Sequence, residues 1–225
     1  MVFDKKRLLD AVHTILQTIP PGVTLEAAAK TRSLEEVETV IEAGLTHIGY
    51  NYVQESLPII QQIGSGATWH MIGHLQRNKA RVVVENYDVI ETLDSWQLAL
   101  TLERLCEQQQ KSMPMLIEIN SGREENKTGV LPEEVDELVQ KVSALKYLYL
   151  EGLMTMGPRF GDPEDSRPYF QTTRAIYERL SGINLPNVQM KVLSMGMSNS
   201  FRVAIQEGAN LVRIGTAIFG ERGAG

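Results

Sequence analysis

The sequence contains very little cysteine: of its 225 residues, only Cys106 carries a thiol. A single thiol excludes an intrachain disulfide and a metal cluster built from thiolates. It is typical of proteins from a reducing compartment, so we predict a cytoplasmic protein. We expect Cys106 itself to be a buried structural residue.

Long apolar runs and an excess of positive charge are also absent. No window of the sequence approaches the ~20 apolar residues of a membrane-spanning helix. The amino end, MVFDKKRLLDAVHTIL, mixes charges with short apolar steps and does not resemble a signal peptide. There are 28 acidic and 22 basic residues, a formal net charge of −6, whereas nucleic-acid binding requires a basic surface that displaces counterions from phosphates. The sequence therefore predicts neither a membrane nor a nucleic acid as partner.

Short β-rich segments alternate with longer amphipathic segments along the whole chain. Apolar residues at helical spacing mark Leu34–Ala43, and Pro132–Ala144 opens with a proline and two glutamates, as helices often do. Strands joined in this way by helices predict an α/β fold, a (β/α)8 barrel of the TIM type, as one domain over residues 1–225. The eight predicted strands are Val23–Lys30, Thr46–Tyr50, Thr68–Ile72, Tyr87–Thr92, Met115–Asn120, Tyr147–Thr155, Gln189–Ser194 and Leu211–Gly215.

The longest irregular segment, Met156–Arg167, follows the sixth predicted strand, and we expect it to form one long loop. In a barrel of this type, the loops that follow the carboxyl ends of the strands build the functional site. Functional residues are therefore expected where each strand ends.

Glycine and hydroxyl residues follow the last two strands, in the segments LSMGMSNS and RIGTAIFG. Free backbone N–H groups at a helix start bind anions, and the loops after strands seven and eight are the usual phosphate site of this fold. These loops thus predict a site for a phosphate group, which a phosphate or sulfate ion could also occupy. Helix capping by Ser198 and tight turns at the glycines are the alternative interpretation. The predicted phosphate-binding residues are Ser194, Gly196, Ser198, Gly215 and Thr216.

Lys30 ends the first predicted strand, after three alanines in the segment VTLEAAAKTRS. The small side chains leave room for a ligand, and the lysine amine can face the barrel mouth. An amine in an apolar pocket is a better nucleophile toward an aldehyde, because its ammonium form is disfavoured there. A lone lysine at a strand end is typical of a solvated surface, but together with a phosphate site it favours a phosphorylated aldehyde cofactor.

Seven segments, taken in order, resemble the YggS/PROSC family of pyridoxal phosphate homeostasis proteins, whose barrel is similar to the N-terminal domain of alanine racemase. They are AAAKTRS, NYVQES, WHMIGHLQRNK, EINSGREENKTG, EGLMTMGP, LSMGMS and VRIGTAIFG. The resemblance implies that Lys30 holds pyridoxal 5'-phosphate (PLP) as a Schiff base and that the five loop residues named above hold its phosphate. It also implies that Arg213 lies close to the cofactor and that Asn51, His74 and Met154 surround the mouth.

The same resemblance implies a role in intracellular PLP homeostasis, as a cofactor carrier without established turnover. In the racemases, a second domain supplies a tyrosine base on the face of the cofactor opposite the lysine. Inversion of an amino acid needs proton transfer on both faces of the cofactor. The barrel offers one obvious base, so we do not expect efficient racemase activity. We expect a monomer that acts on a small-molecule cofactor.

Two positions near the predicted pocket depart from the family pattern. Glu26 replaces an apolar residue and, because side chains alternate along a strand, should face the barrel interior with Lys30. Tyr50 replaces a glutamate at the end of the second strand. A buried carboxylate without a partner is costly, so Glu26 should pair with a cation, take up a proton or serve a function. An alternative hypothesis is an engineered barrel in which Glu26 and Tyr50 act as general base and hydrogen-bond donor on a carbonyl substrate, with PLP binding by Lys30 weakened or lost.

His70 and His74, in the segment WHMIGH, have the i, i+4 spacing of a helical metal pair. They span a strand and its following loop, so the helical geometry does not apply. The sequence therefore predicts no metal site.

Overall fold

Eight parallel strands form a closed barrel in which each strand pairs with the next along the chain and β8 pairs with β1. The computed structural model describes residues 3–158 and 160–221. The number, order and parallel pairing of the strands confirm the predicted TIM barrel. The strands are β1 (Thr24–Ala28), β2 (His47–Tyr50), β3 (Thr68–Met71), β4 (Val89–Leu93), β5 (Met113–Ile119), β6 (Leu148–Thr155), β7 (Val188–Ser194) and β8 (Leu211–Ile214).

Helices surround the barrel and cover its outer face. Among the described residues, no helix is both long enough and apolar enough to cross a bilayer. The helices are α1 (Lys5–Leu16), α2 (Leu34–Glu42), α3 (Val53–Ile63), α4 (Ala80–Asn86), α5 (Trp96–Gln109), α6 (Val135–Ser143), α7 (Arg167–Ser181), α8 (Phe201–Gln206) and α9 (Thr216–Phe219).

Local signals explain where two of the predicted helices begin. The Ser33 hydroxyl accepts a hydrogen bond from the backbone N–H of Glu36, while the Glu36 carboxylate accepts one from the N–H of Ser33. This reciprocal cap starts α2 at the predicted residue. Helix α6 begins three residues later than predicted, because the segment from Pro132 first forms a turn in which the N–H of Glu134 donates to the carbonyl of Leu131.

The segment after β6 is a long loop, as predicted. It contains one short 3-10 turn, Pro163–Ser166, which is capped by the side chain of Asp162. Arg159 lies outside the described residues. The loop ends at Ser166, since Arg167 is the first residue of α7.

Cys106 lies on α5 and is fully buried, as predicted. Burial raises the pKa of its thiol to about 11, with a further increase from Glu103. Because the thiolate is the reactive form, only about one folded molecule in a thousand is reactive at pH 8. We expect an aromatic disulfide reagent to label the folded chain at least about a hundredfold more slowly than the chain in denaturant. Labelling is measured by absorbance. Equal labelling rates for the folded and the denatured chain would contradict the burial of the Cys106 thiol.

Candidate functional site

Lys30 lies at the barrel mouth, in the turn that follows β1. The strand ends at Ala28, two residues earlier than predicted, and Lys30 is partly buried. Its Nζ lies 3.5 Å from the hydroxyl of Tyr52 and 4.6 Å from the centre of that ring. The lysine amine is thus held over an aromatic face at the rim of the mouth, where a ligand can reach it.

The backbone is strained at the residue next to this lysine. Thr31 has φ 64°, in the left-handed region that a β-branched residue rarely adopts. Its N–H donates to the carboxylate of Glu55 at 2.9 Å, and its hydroxyl donates to the Lys30 carbonyl at 2.6 Å. Strain of this kind persists only where surrounding contacts enforce it, and it concentrates at functional sites. Glu55 therefore helps to fix where the Lys30 turn points.

The loop after β7 requires glycine at its first bend. Gly196 has φ 91°, and a Cβ there would lie 2.6 Å from the Cβ of Ala204 and 2.9 Å from the Cα of Phe201. Only glycine therefore allows the loop to lie this close to α8.

Two backbone N–H groups at the start of α9 point to a single oxygen. The N–H groups of Gly215 and Ala217 each donate to the hydroxyl of Ser198 at 3.2 Å. Thr216 lies between them and is exposed. The capping interpretation therefore holds for Ser198, and the same two N–H groups are the kind of donors that an anion needs.

Ser194 and Arg213 lie deeper than the two loops. Both side chains are buried, and an Arg213 nitrogen donates to the Ser194 hydroxyl. A second Arg213 nitrogen donates to the carbonyl of Thr155 at 2.8 Å. The Ser194 hydroxyl is thus engaged inside the barrel, and Ser194 itself is the last residue of β7, paired with both β6 and β8.

Asn51 and His74 line a cavity of about 260 Å³ between the loops that follow β2 and β3. A Cβ at Gly73 would lie 2.3 Å from the Asn51 carbonyl oxygen, so glycine is what lets these loops meet. His74 is half exposed, and its Nδ1 lies 3.0 Å from a carboxylate oxygen of Asp94. Met154 is fully buried on β6, paired in register with Ser194.

A polar network centred on Glu91 fills the barrel interior below the mouth. One Glu91 oxygen accepts a hydrogen bond from His70 Nδ1 at 2.8 Å, and the other accepts from the Ser194 hydroxyl at 2.6 Å. Arg213 Nη1 lies 3.7 Å from this second oxygen. Burial alone would raise the pKa of Glu91, but the hydrogen bond and attraction of His70, together with the charge of Arg213, lower it below its ordinary value. Glu91 is therefore the ionised partner of the buried arginine.

Glu26 faces the same interior, as predicted, but neither of its carboxyl oxygens has a hydrogen-bond partner among the described residues. Its Oε2 lies 3.4 Å from His70 Nδ1. Burial and then the charge of Glu91 raise the pKa of Glu26 well above its ordinary value. A Cβ at Gly49 would lie 1.9 Å from Glu26 Oε1, so the missing side chain on β2 makes the space that Glu26 occupies.

The proposed pairing of Tyr50 with Glu26 is wrong. Side chains alternate along β2, and since Gly49 faces Glu26 inside the barrel, Tyr50 points to the opposite face. The Tyr50 ring is fully buried 6.5 Å from the ring of Trp69, whose Nε1 donates to the carbonyl of Gly64 in the helical layer. The barrel wall thus separates the two side chains, and they cannot act together on one substrate.

Comparisons with known proteins agree with this geometry. The family described as alanine racemase, N-terminal domain, matches residues 4–223. The pyridoxal phosphate homeostasis protein of Pasteurella multocida is 37% identical over 215 residues, which cover 93% of this chain and 92% of that protein. The protein of the same name from Aquifex aeolicus is 40% identical over 199 residues, covering 88% and 86% of the two chains.

Solved structures give the same result. PipY of Synechococcus elongatus, determined with PLP bound, has a TM-score of 0.86 at 29% identity and covers 95% of this chain and 100% of its own. Alanine racemase of Clostridium difficile has a TM-score of 0.80 at 14% identity, so it shows a common fold alone, and only 57% of its length is covered. The chain therefore belongs to the alanine racemase N-terminal domain family and, within it, to the pyridoxal phosphate homeostasis proteins.

Proposed function

We propose that this protein binds PLP at the barrel mouth, as a Schiff base on Lys30, and serves in PLP homeostasis. The observation that carries the proposal is that the Lys30 turn and a pair of converging N–H groups follow two neighbouring strands. Lys30 follows β1, the N–H groups of Gly215 and Ala217 follow β8, and β1 pairs directly with β8. A Cβ at Gly215 would lie 3.1 Å from the carbonyl of Ala28, so the two strand ends are in close contact.

The residues at the mouth fit the cofactor chemically. Bound PLP supplies an aldehyde, which condenses with the Lys30 amine and releases water. The chain itself offers backbone donors and glycine-lined space for the phosphate, which a phosphate or sulfate ion would compete for. We assign the phosphate to Ser194, Gly196, Ser198, Gly215 and Thr216, and the surroundings of the ring to Arg213, Asn51, His74 and Met154.

A carrier role is better supported than racemase activity. The chain covers 92% of its Pasteurella relative, which is named for pyridoxal phosphate homeostasis, but 57% of the Clostridium racemase. We further propose a cytoplasmic monomer, because one buried cysteine fits a reducing compartment and the described strands close the barrel without a second chain.

A transfer experiment tests the carrier role. The protein is loaded with PLP, freed of excess cofactor and mixed with a PLP-free enzyme whose activity requires PLP. We expect the acceptor enzyme to regain activity, and we expect no inversion of L-alanine by the loaded protein alone. Failure to restore the acceptor, or inversion of alanine with repeated turnover, would overturn the proposal.

The strained turn beside Lys30 gives a separate prediction. In Glu55→Ala, the Thr31 N–H loses its 2.9 Å partner, and the turn is free to relax. We expect PLP to bind about tenfold more weakly, since one hydrogen bond to a charged group is worth roughly 1.5 kcal/mol. Glu42→Ala, which removes a surface pair with Lys5, is the matched control and should leave the affinity unchanged. Equal affinities for Glu55→Ala and the unmodified chain in a fluorescence titration would show that Glu55 does not position the lysine.

A further inference from the structure

Three metal-ligating side chains meet inside the barrel, below the mouth. One ligand atom from each of Glu26, His70 and Glu91 lies within 4.8 Å of the others, and all three residues are buried. We propose that these side chains bind a divalent transition-metal ion, for which Zn²⁺ is the test case, in the barrel interior below the proposed PLP pocket.

The distances suit such an ion with a small adjustment. Ligand atoms about 2.0–2.2 Å from a tetrahedral Zn²⁺ lie about 3.3–3.6 Å from one another. The separation of 3.4 Å between Glu26 Oε2 and His70 Nδ1 already fits, while that of 2.8 Å between His70 Nδ1 and Glu91 Oε1 must widen by about half an ångström. Since neither oxygen of Glu26 is hydrogen-bonded in the described structure, this carboxylate can supply one of the four coordination positions, beside one each from His70 and Glu91.

The two other ligands already have the outer contacts that metal sites use. A ligating histidine commonly holds a hydrogen bond through its second nitrogen, and ligating carboxylates are themselves hydrogen-bonded. His70 Nε2 lies 2.9 Å from Nδ1 of His47, and the second oxygen of Glu91 accepts from Ser194. With Nδ1 on the metal, the Nε2–H of His70 would donate to His47. Of the three proposed ligands, Glu26 is the one whose carboxyl oxygens have no hydrogen-bond partner among the described residues.

The charges in the interior also leave a place for a cation. Arg213 lies 3.7 Å from Glu91, whereas the carboxyl oxygens of Glu26 have no hydrogen-bond partner among the described residues and lie no closer than 3.4 Å to His70 Nδ1. Protonation of Glu26 is the alternative to metal binding at this position. A proton neutralises that carboxyl, whereas a divalent ion binds the carboxylate and supplies the opposite charge.

The test uses the full chain, with and without saturating PLP, after chelator treatment and dialysis. Binding of Zn²⁺ is measured by titration calorimetry, and thermal unfolding is measured by circular dichroism. Mg²⁺, which this set of donors disfavours, is the control ion in both measurements. We expect one Zn²⁺ per chain and an unfolding midpoint higher by about 5–10 °C at a hundredfold excess over the dissociation constant. Mg²⁺ should produce neither effect.

Two variants of Glu26 and one control variant test whether Glu26 is a ligand. Glu26→Leu should fold, because an apolar side chain suits a barrel interior, and should lose both the Zn²⁺ stoichiometry and the midpoint shift. Glu26→Gln, which preserves the shape of the side chain, should weaken binding at least about tenfold and provides the same comparison if Glu26→Leu does not fold. His13→Ala changes an exposed histidine on α1 and should bind like the unmodified chain.

Two results would overturn the proposal. The first is Zn²⁺ binding by Glu26→Leu or Glu26→Gln with the affinity of the unmodified chain, which would place the ion elsewhere. The second is absence of a Zn²⁺ effect on the unmodified chain, which would leave a proton as the occupant of Glu26.

Discussion

Lys30→Ala is expected to abolish the visible absorbance that PLP acquires on binding to this protein. The absorbance requires an imine between the cofactor and a lysine amine, and Lys30 follows β1, the strand that pairs with the strand leading to the N–H groups that start α9. Contacts to the phosphate remain in the variant, so we expect residual, non-covalent binding that is weaker by about a hundredfold, equivalent to roughly 2.7 kcal/mol. An absorbance titration with PLP measures both effects.

Lys6→Ala is the matched control for this experiment. Lys6 is an exposed lysine on α1, and its removal should change neither the absorbance nor the affinity. An unchanged visible band in Lys30→Ala would show that another lysine holds the cofactor. Loss of the visible band in both variants would show that the loss is not specific to Lys30.

Arg213→Met is expected to lower the free energy of unfolding by about 3–5 kcal/mol, because breaking a buried ion pair leaves an uncompensated charge. Glu91 is fully buried and Arg213 is almost so, with 3.7 Å between their charged atoms. The loss is measured by urea unfolding of the PLP-free chain in chelator. Arg81→Met is the matched control, since its pair with Glu85 lies at the surface and should contribute less than about 0.5 kcal/mol.

A double variant separates charge from packing in this prediction. Glu91→Gln removes the charge that Arg213 compensates while preserving the shape of the side chain. If the charge accounts for the loss, Arg213→Met combined with Glu91→Gln should be more stable than Arg213→Met alone, with a coupling energy of roughly 1.5–3 kcal/mol. A double variant as unstable as Arg213→Met would instead assign the loss to packing and to the missing bond to Thr155.

The barrel could be predicted from the sequence because its signals are local. The alternation of β-rich and amphipathic segments predicts eight parallel strands, and the fold then places every strand end on one rim. The positions of Lys30 and of the glycine loops after β7 and β8 follow from that rule. Element ends were less predictable: β1 stops at Ala28 because the chain turns through the strained Thr31, a constraint set by the distant Glu55.

The barrel interior could not be predicted in the same way. Glu26, His70 and Glu91 come from β1, β3 and β4, and their meeting depends on the curvature of the barrel and on the space left by Gly49. The available signal was an acidic or imidazole side chain at inward positions of three strands. Tyr50 is next to the inward-facing Gly49 on β2, so alternation turns it away from the interior although it lies at the strand end.

Reduction of the PLP-loaded protein with borohydride tests the central claim most directly. The reagent converts an imine into a stable secondary amine, so the attached lysine can be located by mass spectrometry of proteolytic fragments. We predict one pyridoxyl group per chain, located on Lys30 in the segment AAAKTRS. Attachment to any other lysine, or the absence of a covalent adduct, would contradict the account.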